Sequence, residues 1–238
     1  MTALEVTVKR FSSLCIAAML SMILVLVGCE AATSTPIPPT PIPPTATPLG
    51  EGAVVIRQID NRYVGGTIYG HGENAVILAG RGGASQYEWS SFAGTLAEEG
   101  YTVLSIASLD AEFISVEYER YAIAFLRANG FKKIVCIGDS MGASGCAFNA
   151  HEPELRGLVL LTYHGNADLT DITYPKIFIA SEKGGYQNTT TTGYQAAADP
   201  KTLVIIPDST DVTPSLVDTP SMDLHKQILD MLKDVFGQ

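Results

Sequence analysis

The stretch Lys133–Phe148 reads KIVCIGDSMGASGCAF. It begins with apolar β-formers and ends in small residues with a helical pattern. The pentapeptide Gly138–Gly142 between them has the form G-x-S-x-G, which places a serine on a sharp turn from a strand into a helix. Glycine is expected at both flanks because a Cβ there would collide with the neighbouring strand or helix. The stretch therefore predicts a nucleophile, Ser140, at the edge of a sheet.

Strand and helix patterns alternate along the rest of the chain. Buried strands that read as unbroken apolar runs, separated by helices, predict a parallel sheet covered on both faces, an α/β/α sandwich of three layers. Residues 189–192, four consecutive threonines, are expected to form a polar loop. Strands are expected at residues 53–57, 63–69, 75–79, 102–107, 133–137, 157–162, 176–180 and 202–206, and helices at residues 86–99, 112–129, from the elbow to about 152, and 221–236.

From about Ala53 to Phe236 the chain resembles an α/β-hydrolase, a minimal one of the dienelactone-hydrolase or esterase kind. The serine turn ends the fifth predicted strand. Residues 75–83 (AVILAGRGG), followed by Trp89, are similar to the family's third strand, oxyanion loop and first helix. The resemblance implies a mostly parallel sheet of eight strands. The connection at residues 163–174 is too short to hold a lid domain, so an open, small site is expected.

The resemblance also implies the roles of the site residues. Ser140 would be the nucleophile of an acyl transfer, and the backbone N–H groups of Met141 and Arg81 would form the oxyanion hole. In the family the acid follows the seventh strand and the histidine follows the eighth, but here those positions hold Gly184 and Asp211. A serine without a base near neutral pH is a poor nucleophile, so both partners that the reaction needs are missing from their usual places.

One histidine is a candidate replacement base. His164 follows the sixth predicted strand and is expected to emerge on the same edge of the sheet as Ser140, where Glu182, Asp168 or Asp211 could orient it. A loop residue without a catalytic role is the alternative. The other three histidines are expected elsewhere: His71 at the opposite end of the sheet, His151 as a cap at the end of a helix, and His225 on the solvent face of the last helix.

The cysteines allow two interpretations. Cys136 and Cys146, on either side of the serine turn, are most simply buried small hydrophobic residues, although a disulfide between them is allowed outside the cytoplasm. No cluster of histidine and cysteine has metal-ligand spacing, and neither a metal nor a cofactor is expected.

The first 28 residues indicate an export signal. Lys9 and Arg10 precede the apolar stretch Cys15–Val27, which is short for a membrane span. It ends in Leu26-Val27-Gly28-Cys29, which resembles the lipobox of bacterial lipoproteins and implies cleavage before a lipidated Cys29. An ordinary signal peptide or an uncleaved anchor is the alternative. By this resemblance the mature protein is extracytoplasmic and contacts the bacterial cell membrane only through its lipid.

Residues 29–50 are expected to form a stalk between the lipid and the domain at residues 51–238. Residues 31–50 contain seven of the thirteen prolines and two copies of Thr-Pro-Ile-Pro-Pro. Such a segment favours an extended polyproline II spacer, which at about 3.1 Å per residue reaches up to ~60 Å. Removal of the signal, with two basic residues and one acidic residue, takes the formal charge from −10 to −11. This acidic balance argues against a nucleic-acid partner.

Two functions follow from different features of the sequence. The serine turn and the oxyanion loop favour a lipid-anchored serine hydrolase of small esters or other acyl compounds, with His164 as its tentative base. The two missing triad residues favour a catalytically inactive α/β-hydrolase domain that binds a small molecule or serves as a scaffold. An extracytoplasmic solute-binding protein is a third interpretation, disfavoured because one short domain offers no cleft between domains.

Overall fold

All eight predicted strands are present and form one sheet. The computed structural model describes residues 50–59, 62–107, 116–217 and 222–238; the predicted signal peptide, Cys29 and the linker up to residue 49 lie outside these ranges. The strands are β1 (Gly52–Ile59), β2 (Arg62–Tyr69), β3 (Ala75–Ala79), β4 (Thr102–Ile106), β5 (Ile134–Asp139), β6 (Leu155–Leu161), β7 (Lys176–Ser181) and β8 (Lys201–Ile206).

The sheet has the order β1-β2-β4-β3-β5-β6-β7-β8. Strand β2 runs antiparallel to both of its neighbours, β1 and β4, and every other pair is parallel. The carboxyl ends of β3, β5, β6, β7 and β8 therefore meet at one edge. Loops that leave this edge are the places where a parallel sheet collects its functional side chains.

Helices cover both faces of the sheet, as the apolar runs predict. Alternate residues of each inner strand point to opposite faces, so that Cys136 belongs to one buried cluster and Val135 and Ile137 to the other. The helices are α1 (Ser90–Glu98), α2 (Val116–Ala128), α3 (Met141–Phe148), α4 (Gln187–Ala196), α5 (Thr213–Val217) and α6 (Met222–Phe236). Residues of α1, α5 and α6 pack on one face, and residues of α2 and α3 on the other.

The polar loop expected at residues 189–192 is instead part of helix α4. Threonine is a weak helix former because its branched side chain is restricted against the preceding turn. Here the threonine hydroxyls find acceptors: Thr189 donates to Tyr186 O and Thr192 to Asn188 O, both at 2.9 Å. Thr190 is buried and donates to Tyr163 O at 2.9 Å. These bonds, together with packing against the sheet, outweigh the local preference.

Helices α2 and α3 approach closely at a glycine. A Cβ added to Gly145 would lie 2.1 Å from Oε2 of Glu119, so only glycine leaves room for this carboxyl. Glu119 is buried, its Oε2 has no hydrogen-bond partner within the described residues, and burial raises the pKa of its carboxyl to about 8. The carboxyl is therefore protonated at neutral pH, because a charge without a partner is disfavoured in an apolar interior.

Cys136 and Cys146 form a disulfide, with their Cα atoms 5.7 Å apart. The simpler expectation of two separate buried thiols is therefore wrong. Cys136 lies in the middle of β5 and Cys146 near the end of α3. The bond closes a short loop that contains the whole serine turn, and it ties the strand before Ser140 to the helix after it.

The connection from β6 to β7 contains no helix or strand over residues 162–175, all of which the structure describes. The expectation of a fold without a lid domain is confirmed. In the described part of the chain, no helix combines the length and the apolar character that crossing a bilayer requires.

Candidate active site

Ser140 lies on the predicted sharp turn between β5 and α3. Its backbone has φ 55° and ψ −110°, a conformation that a residue with a Cβ adopts only under strain. Its N–H donates to Leu161 O at 3.0 Å, which anchors the turn to the end of β6. The strained geometry places Ser140 at the carboxyl edge of the sheet, as the motif predicts.

The glycines on either side of the serine are required by contact with backbone atoms. A Cβ on Gly142 would lie 2.3 Å from Ala79 O, at the end of β3. A Cβ on Gly138 would lie 2.4 Å from the carbonyl carbon of Gly142. Real Cβ atoms do not approach backbone atoms so closely, so the steric reason that the sequence suggests for these glycines holds.

A pocket of about 260 Å³ opens over Ser140 at this edge. Its walls come from the loops that follow five strands, and most of its side chains carry a hydroxyl or a charge. The lining residues are Arg81, Asp139, Ser140, Thr162, Ser181, Gly184, Gly185, Tyr186, Thr210 and Asp211. The structure thus brings together Ser140, Arg81 and the two residues at which the resemblance places the missing acid and histidine, Gly184 and Asp211.

The two predicted oxyanion donors lie on adjacent segments. Met141 begins α3, and a Cβ on Gly82 would lie 2.3 Å from Met141 Sδ, so the loop that contains Arg81 packs against this residue. Neither the Met141 N–H nor the Arg81 N–H donates to an acceptor within the described residues. Both N–H groups are therefore without an acceptor among the described residues, and their role as an oxyanion hole stays a prediction.

The loop after β7, where the family carries its acid, is built around other contacts. Gly184 lies against Ser181, and a Cβ at Gly184 would be 2.1 Å from Ser181 Oγ. The nearby acid Glu182 accepts the Asp208 N–H at 2.9 Å through Oε2. Lys183 forms an ion pair with the Asp208 carboxylate at 2.7 Å. These bonds join the loop after β7 to the loop after β8.

Asp211, where the family carries its histidine, forms an ion pair with Arg81. The Arg81 Nη1 donates to Asp211 Oδ2 at 3.1 Å, and Arg81 Nη2 donates to Glu88 Oε1 at 2.7 Å. Asp211 Oδ1 accepts the Thr213 N–H at 3.1 Å. Hydrogen bonding to Glu88 is the main reason that the pKa of Arg81 is raised. The guanidinium is therefore compensated by two carboxylates, one on each side.

His164 is not hydrogen-bonded to Ser140 in this structure. No imidazole is among the pocket-lining residues, and Ser140 Oγ makes no hydrogen bond within the residues that the structure describes. His164 is exposed, its Nδ1 lies 3.3 Å from Thr162 O, and its ring packs against Tyr186 with centroids 4.9 Å apart.

The three acids proposed to orient His164 are engaged elsewhere. Asp168 accepts from the Thr170 N–H at 3.0 Å, while Glu182 and Asp211 form the loop and Arg81 contacts described above. None of the three is hydrogen-bonded to the imidazole in the described structure. The four residues are therefore not assembled into a relay in this conformation.

The remaining histidines are remote from the pocket. His71 lies exposed in the loop before β3, as expected. His151 pairs with Asp171, its Nε2 3.1 Å from Oδ1, rather than capping a helix. The expectation that His225 faces solvent is wrong: it is half-buried, its Nε2 is 2.8 Å from Leu216 O, and its ring packs against Phe92.

Asp139 is a site residue that the sequence does not single out, because the motif allows any residue at this position. It lines the pocket while only 3% exposed. Its Oδ2 accepts the Thr213 hydroxyl at 2.6 Å, whereas no donor in the described residues reaches its Oδ1. Burial raises the pKa of this carboxyl, against the opposing effect of the hydroxyls of Thr213 and Thr162.

The described residues contain no group of histidine, cysteine and acidic side chains that could hold a metal ion. Trp89, which follows the loop that contains Arg81, is fully buried in the core. Tyr87 is 58% exposed and precedes Glu88, which accepts a hydrogen bond from Arg81.

Several solved structures are similar to this chain. An esterase from Pyrococcus furiosus superposes with a TM-score of 0.66 at 16% identity, over 78% of this chain and 93% of the esterase. A hydrolase from Pseudomonas aeruginosa superposes with a TM-score of 0.64 at 12% identity, over 76% of this chain and 98% of the hydrolase. A carboxylesterase from Bacillus subtilis gives 0.60 at 12% identity, over 79% and 93%. No protein-family model and no curated protein sequence matches the chain. The structural likeness shows that the chain has the α/β-hydrolase fold.

Proposed function

We propose that this protein is a lipid-anchored, extracytoplasmic binding module that holds a small polar molecule in the pocket over Ser140 without hydrolysing it. The observation that carries the proposal is the ion pair between Asp211 and Arg81. It occupies the place from which a histidine would activate the serine. The pocket itself is present, and most of the side chains in its wall carry a hydroxyl or a charge.

The chemistry of the pocket supports binding over turnover. Attack by a serine requires a base that accepts the hydroxyl proton near neutral pH. The Asp211 carboxylate is a poor substitute because a carboxylate is a much weaker base than an imidazole, and this one is already paired with the Arg81 guanidinium. The Ser140 hydroxyl is therefore a hydrogen-bonding group in this proposal rather than a nucleophile.

The location rests on separate observations. The Leu26-Val27-Gly28-Cys29 sequence and the proline-rich segment after it favour a lipidated Cys29 followed by a stalk. The disulfide between Cys136 and Cys146 supports an oxidising compartment, because cytosolic thiols are kept reduced. The acidic formal charge makes nucleic acid an unfavourable partner.

A serine hydrolase with His164 as its base is the second candidate. His164 packs against Tyr186, which lines the pocket, so a changed side-chain rotamer is the movement this candidate requires. The strained backbone of Ser140 also favours it, since strain is often kept where it serves chemistry. Substrates would be small esters or other acyl compounds, as suits an open site without a lid.

Labelling with a fluorophosphonate separates the two candidates, because this probe reacts with activated serines. The full chain is compared with Ser140→Ala and His164→Ala, and near-ultraviolet circular dichroism verifies that each is folded. The binding module predicts that the wild type labels no faster than Ser140→Ala. Fast labelling that disappears in Ser140→Ala would overturn the proposal, and its loss in His164→Ala as well would establish the hydrolase.

A further inference from the structure

The pocket over Ser140 presents one carboxylate oxygen that lacks a donor, on Asp139, beside the Asp211 carboxylate, whose oxygens accept from Arg81 and Thr213. Asp139 is 3% exposed, and its Oδ1 is without a hydrogen-bond donor among the described residues. A buried polar atom left unpaired is costly, so the pocket favours a ligand that supplies the missing partner. Asp211 adds a second carboxylate to the same wall.

The same pocket also presents donors that lack acceptors. The backbone N–H group of Arg81, a lining residue, remains unclaimed within the described residues. Hydroxyl groups of Ser140, Thr162 and Ser181 line the wall and can either donate or accept. A ligand that satisfies this pocket must therefore both donate and accept hydrogen bonds at neighbouring atoms.

The charge distribution selects against an anionic ligand. Arg81 is the positively charged residue of the lining, and its guanidinium already contacts the carboxylates of Glu88 and Asp211. A carboxylate or phosphate in the pocket would therefore meet a compensated cation, with Asp139 as a further acidic neighbour. It could accept from the Arg81 N–H, but it has no proton for Asp139 Oδ1.

An aromatic ring stands at the mouth of the pocket. Tyr186 lines the pocket, is 47% exposed, and packs against the His164 ring at a centroid distance of 4.9 Å. An aromatic face carries partial negative charge, and aliphatic C–H groups bound to oxygenated carbons are slightly positive. Such a ring is therefore suited to pack on the C–H face of a sugar ring.

Building on the proposed binding function, we infer that the pocket over Ser140 takes a small uncharged polyhydroxylated ligand, such as a single sugar unit. Hydroxyl groups donate and accept at once, so one ligand can satisfy Asp139 Oδ1 together with the Arg81 N–H and the hydroxyl groups of the wall. A ligand hydroxyl can donate a hydrogen bond to Asp139 when the carboxyl is ionised and accept one when it is protonated. An anion lacks the donors, and an ammonium group lacks the acceptors.

Four probes of similar size test the inference: methyl α-D-glucopyranoside, D-glucuronate, D-glucosamine and hexanoate. Saturation-transfer difference NMR follows their binding to the full chain in lauryldimethylamine oxide, a detergent without a sugar headgroup. The glucoside should bind with at least tenfold higher affinity than glucuronate or hexanoate, and more tightly than glucosamine. Fluorophosphonate labelling of the same sample reports independently on catalysis.

Two variants place the binding in the pocket. Gly185 lines the pocket and has no atom within 4 Å of an added Cβ, so Gly185→Leu should fill the space without straining the fold. Gly94→Leu, an equally open position in α1, is the matched control. Binding of the glucoside should disappear in Gly185→Leu and persist in Gly94→Leu. Asp139→Asn should weaken glucoside binding about tenfold while leaving hexanoate unaffected.

Each other outcome overturns a distinct claim. Tighter binding of glucuronate or hexanoate, abolished by Gly185→Leu, would overturn the ligand class and leave the binding function standing. Glucoside binding that Gly185→Leu leaves unchanged would overturn the assignment to this pocket. Binding of none of the four probes would overturn the inference. Ser140-dependent labelling by the fluorophosphonate would overturn the non-catalytic function itself.

Discussion

The serine turn and the loops after β7 and β8 form the same pocket, but they depart from a serine hydrolase to very different degrees. The turn keeps its strained Ser140, its two glycines with backbone contacts, and a disulfide that joins its flanking elements. The loops carry Gly184 and Asp211 where the acid and base would be. The difference follows from packing: the turn lies between a central strand and a helix, whereas the loops face solvent.

A turn that is packed into the core is retained for stability whether or not its serine reacts. Gly138 and Gly142 touch backbone atoms of the turn and of β3, so any change there disturbs the centre of the sheet. Residues on the two loops contact one another and Arg81, and these contacts can change without moving a strand. A retained elbow is therefore weak support for catalysis, and altered loops are the stronger indication.

The largest expected effect on stability comes from adding a methyl group to the serine turn, compared with the same addition to the loop after β7. Gly142→Ala places a Cβ 2.3 Å from a backbone oxygen and should lower the free energy of unfolding by about 3 kcal/mol or more. Gly184→Ala meets the rotatable Ser181 hydroxyl at 2.1 Å and the Thr210 backbone oxygen at 3.2 Å, and it should cost about 1 kcal/mol. Urea denaturation of the two variants measures both. Equal losses would contradict the contrast between the regions.

Helix α2, which packs against α3, should make the free energy of unfolding depend on pH through Glu119. Its folded pKa of about 8 lies above the ordinary 4.5, so between these values the unfolded chain has lost a proton that the folded chain keeps. The free energy of unfolding should therefore fall by roughly 3 kcal/mol from pH 5 to pH 8 and then level off.

Glu119→Gln should remove most of that fall, and Glu98→Gln, at an exposed position of α1, should leave it unchanged. Urea denaturation at several pH values compares the three proteins. A wild-type fall that Glu119→Gln preserves would assign the effect to other groups.

Loss of the disulfide should have a somewhat smaller effect. The Cys136→Ala/Cys146→Ala double variant should unfold with about 2–3 kcal/mol less free energy, since a closed loop of this length restricts the unfolded chain. Dithiothreitol should lower the stability of the wild type by a similar amount and leave the double variant unaffected. If dithiothreitol left the free energy of unfolding of the wild type unchanged, the disulfide would make no contribution to stability.

The smallest effect on the free energy of unfolding is expected from a substitution in the loop after β8. Asp211→Asn removes a partly exposed ion pair with Arg81 and should change the free energy of unfolding by less than about 1 kcal/mol. Asp230→Asn, which breaks the exposed pair with Lys226 on α6, provides a matched control. A loss of several kcal/mol in Asp211→Asn alone would mean that these loops are as structurally constrained as the turn.

The positions of the strands along the chain and the serine turn are predictable from the sequence because they depend on local patterns. Apolar runs mark each buried strand, and the glycine spacing around Ser140 fixes the turn. The unusual residues Gly184 and Asp211 are equally visible, since they differ from a known pattern. The resemblance therefore locates the pocket, and the structure brings Ser140, Arg81, Gly184 and Asp211 together in its lining, but not His164.

Features that depend on contacts between distant segments are not predictable in this way. The threonine run of α4 is helical because its hydroxyls and the sheet compensate for a weak local preference. The disulfide depends on how α3 packs against β5. Asp139 stands out because its buried Oδ1 lacks a hydrogen-bond donor among the described residues. Asp211 stands out because it pairs with Arg81, which lies 130 positions away. None of these contacts leaves a pattern in the local sequence.

Restoring the missing partners tests the central claim most directly: the serine turn is competent and only the loops keep it from reacting. The variant Asp211→His/Gly184→Asp supplies an imidazole and a carboxylate at the family positions, and its rate of fluorophosphonate labelling is compared with that of the wild type. A rate at least a hundredfold higher in the variant, abolished by adding Ser140→Ala, is the predicted result. A wild type that already labels at Ser140 as fast as the variant would contradict the claim.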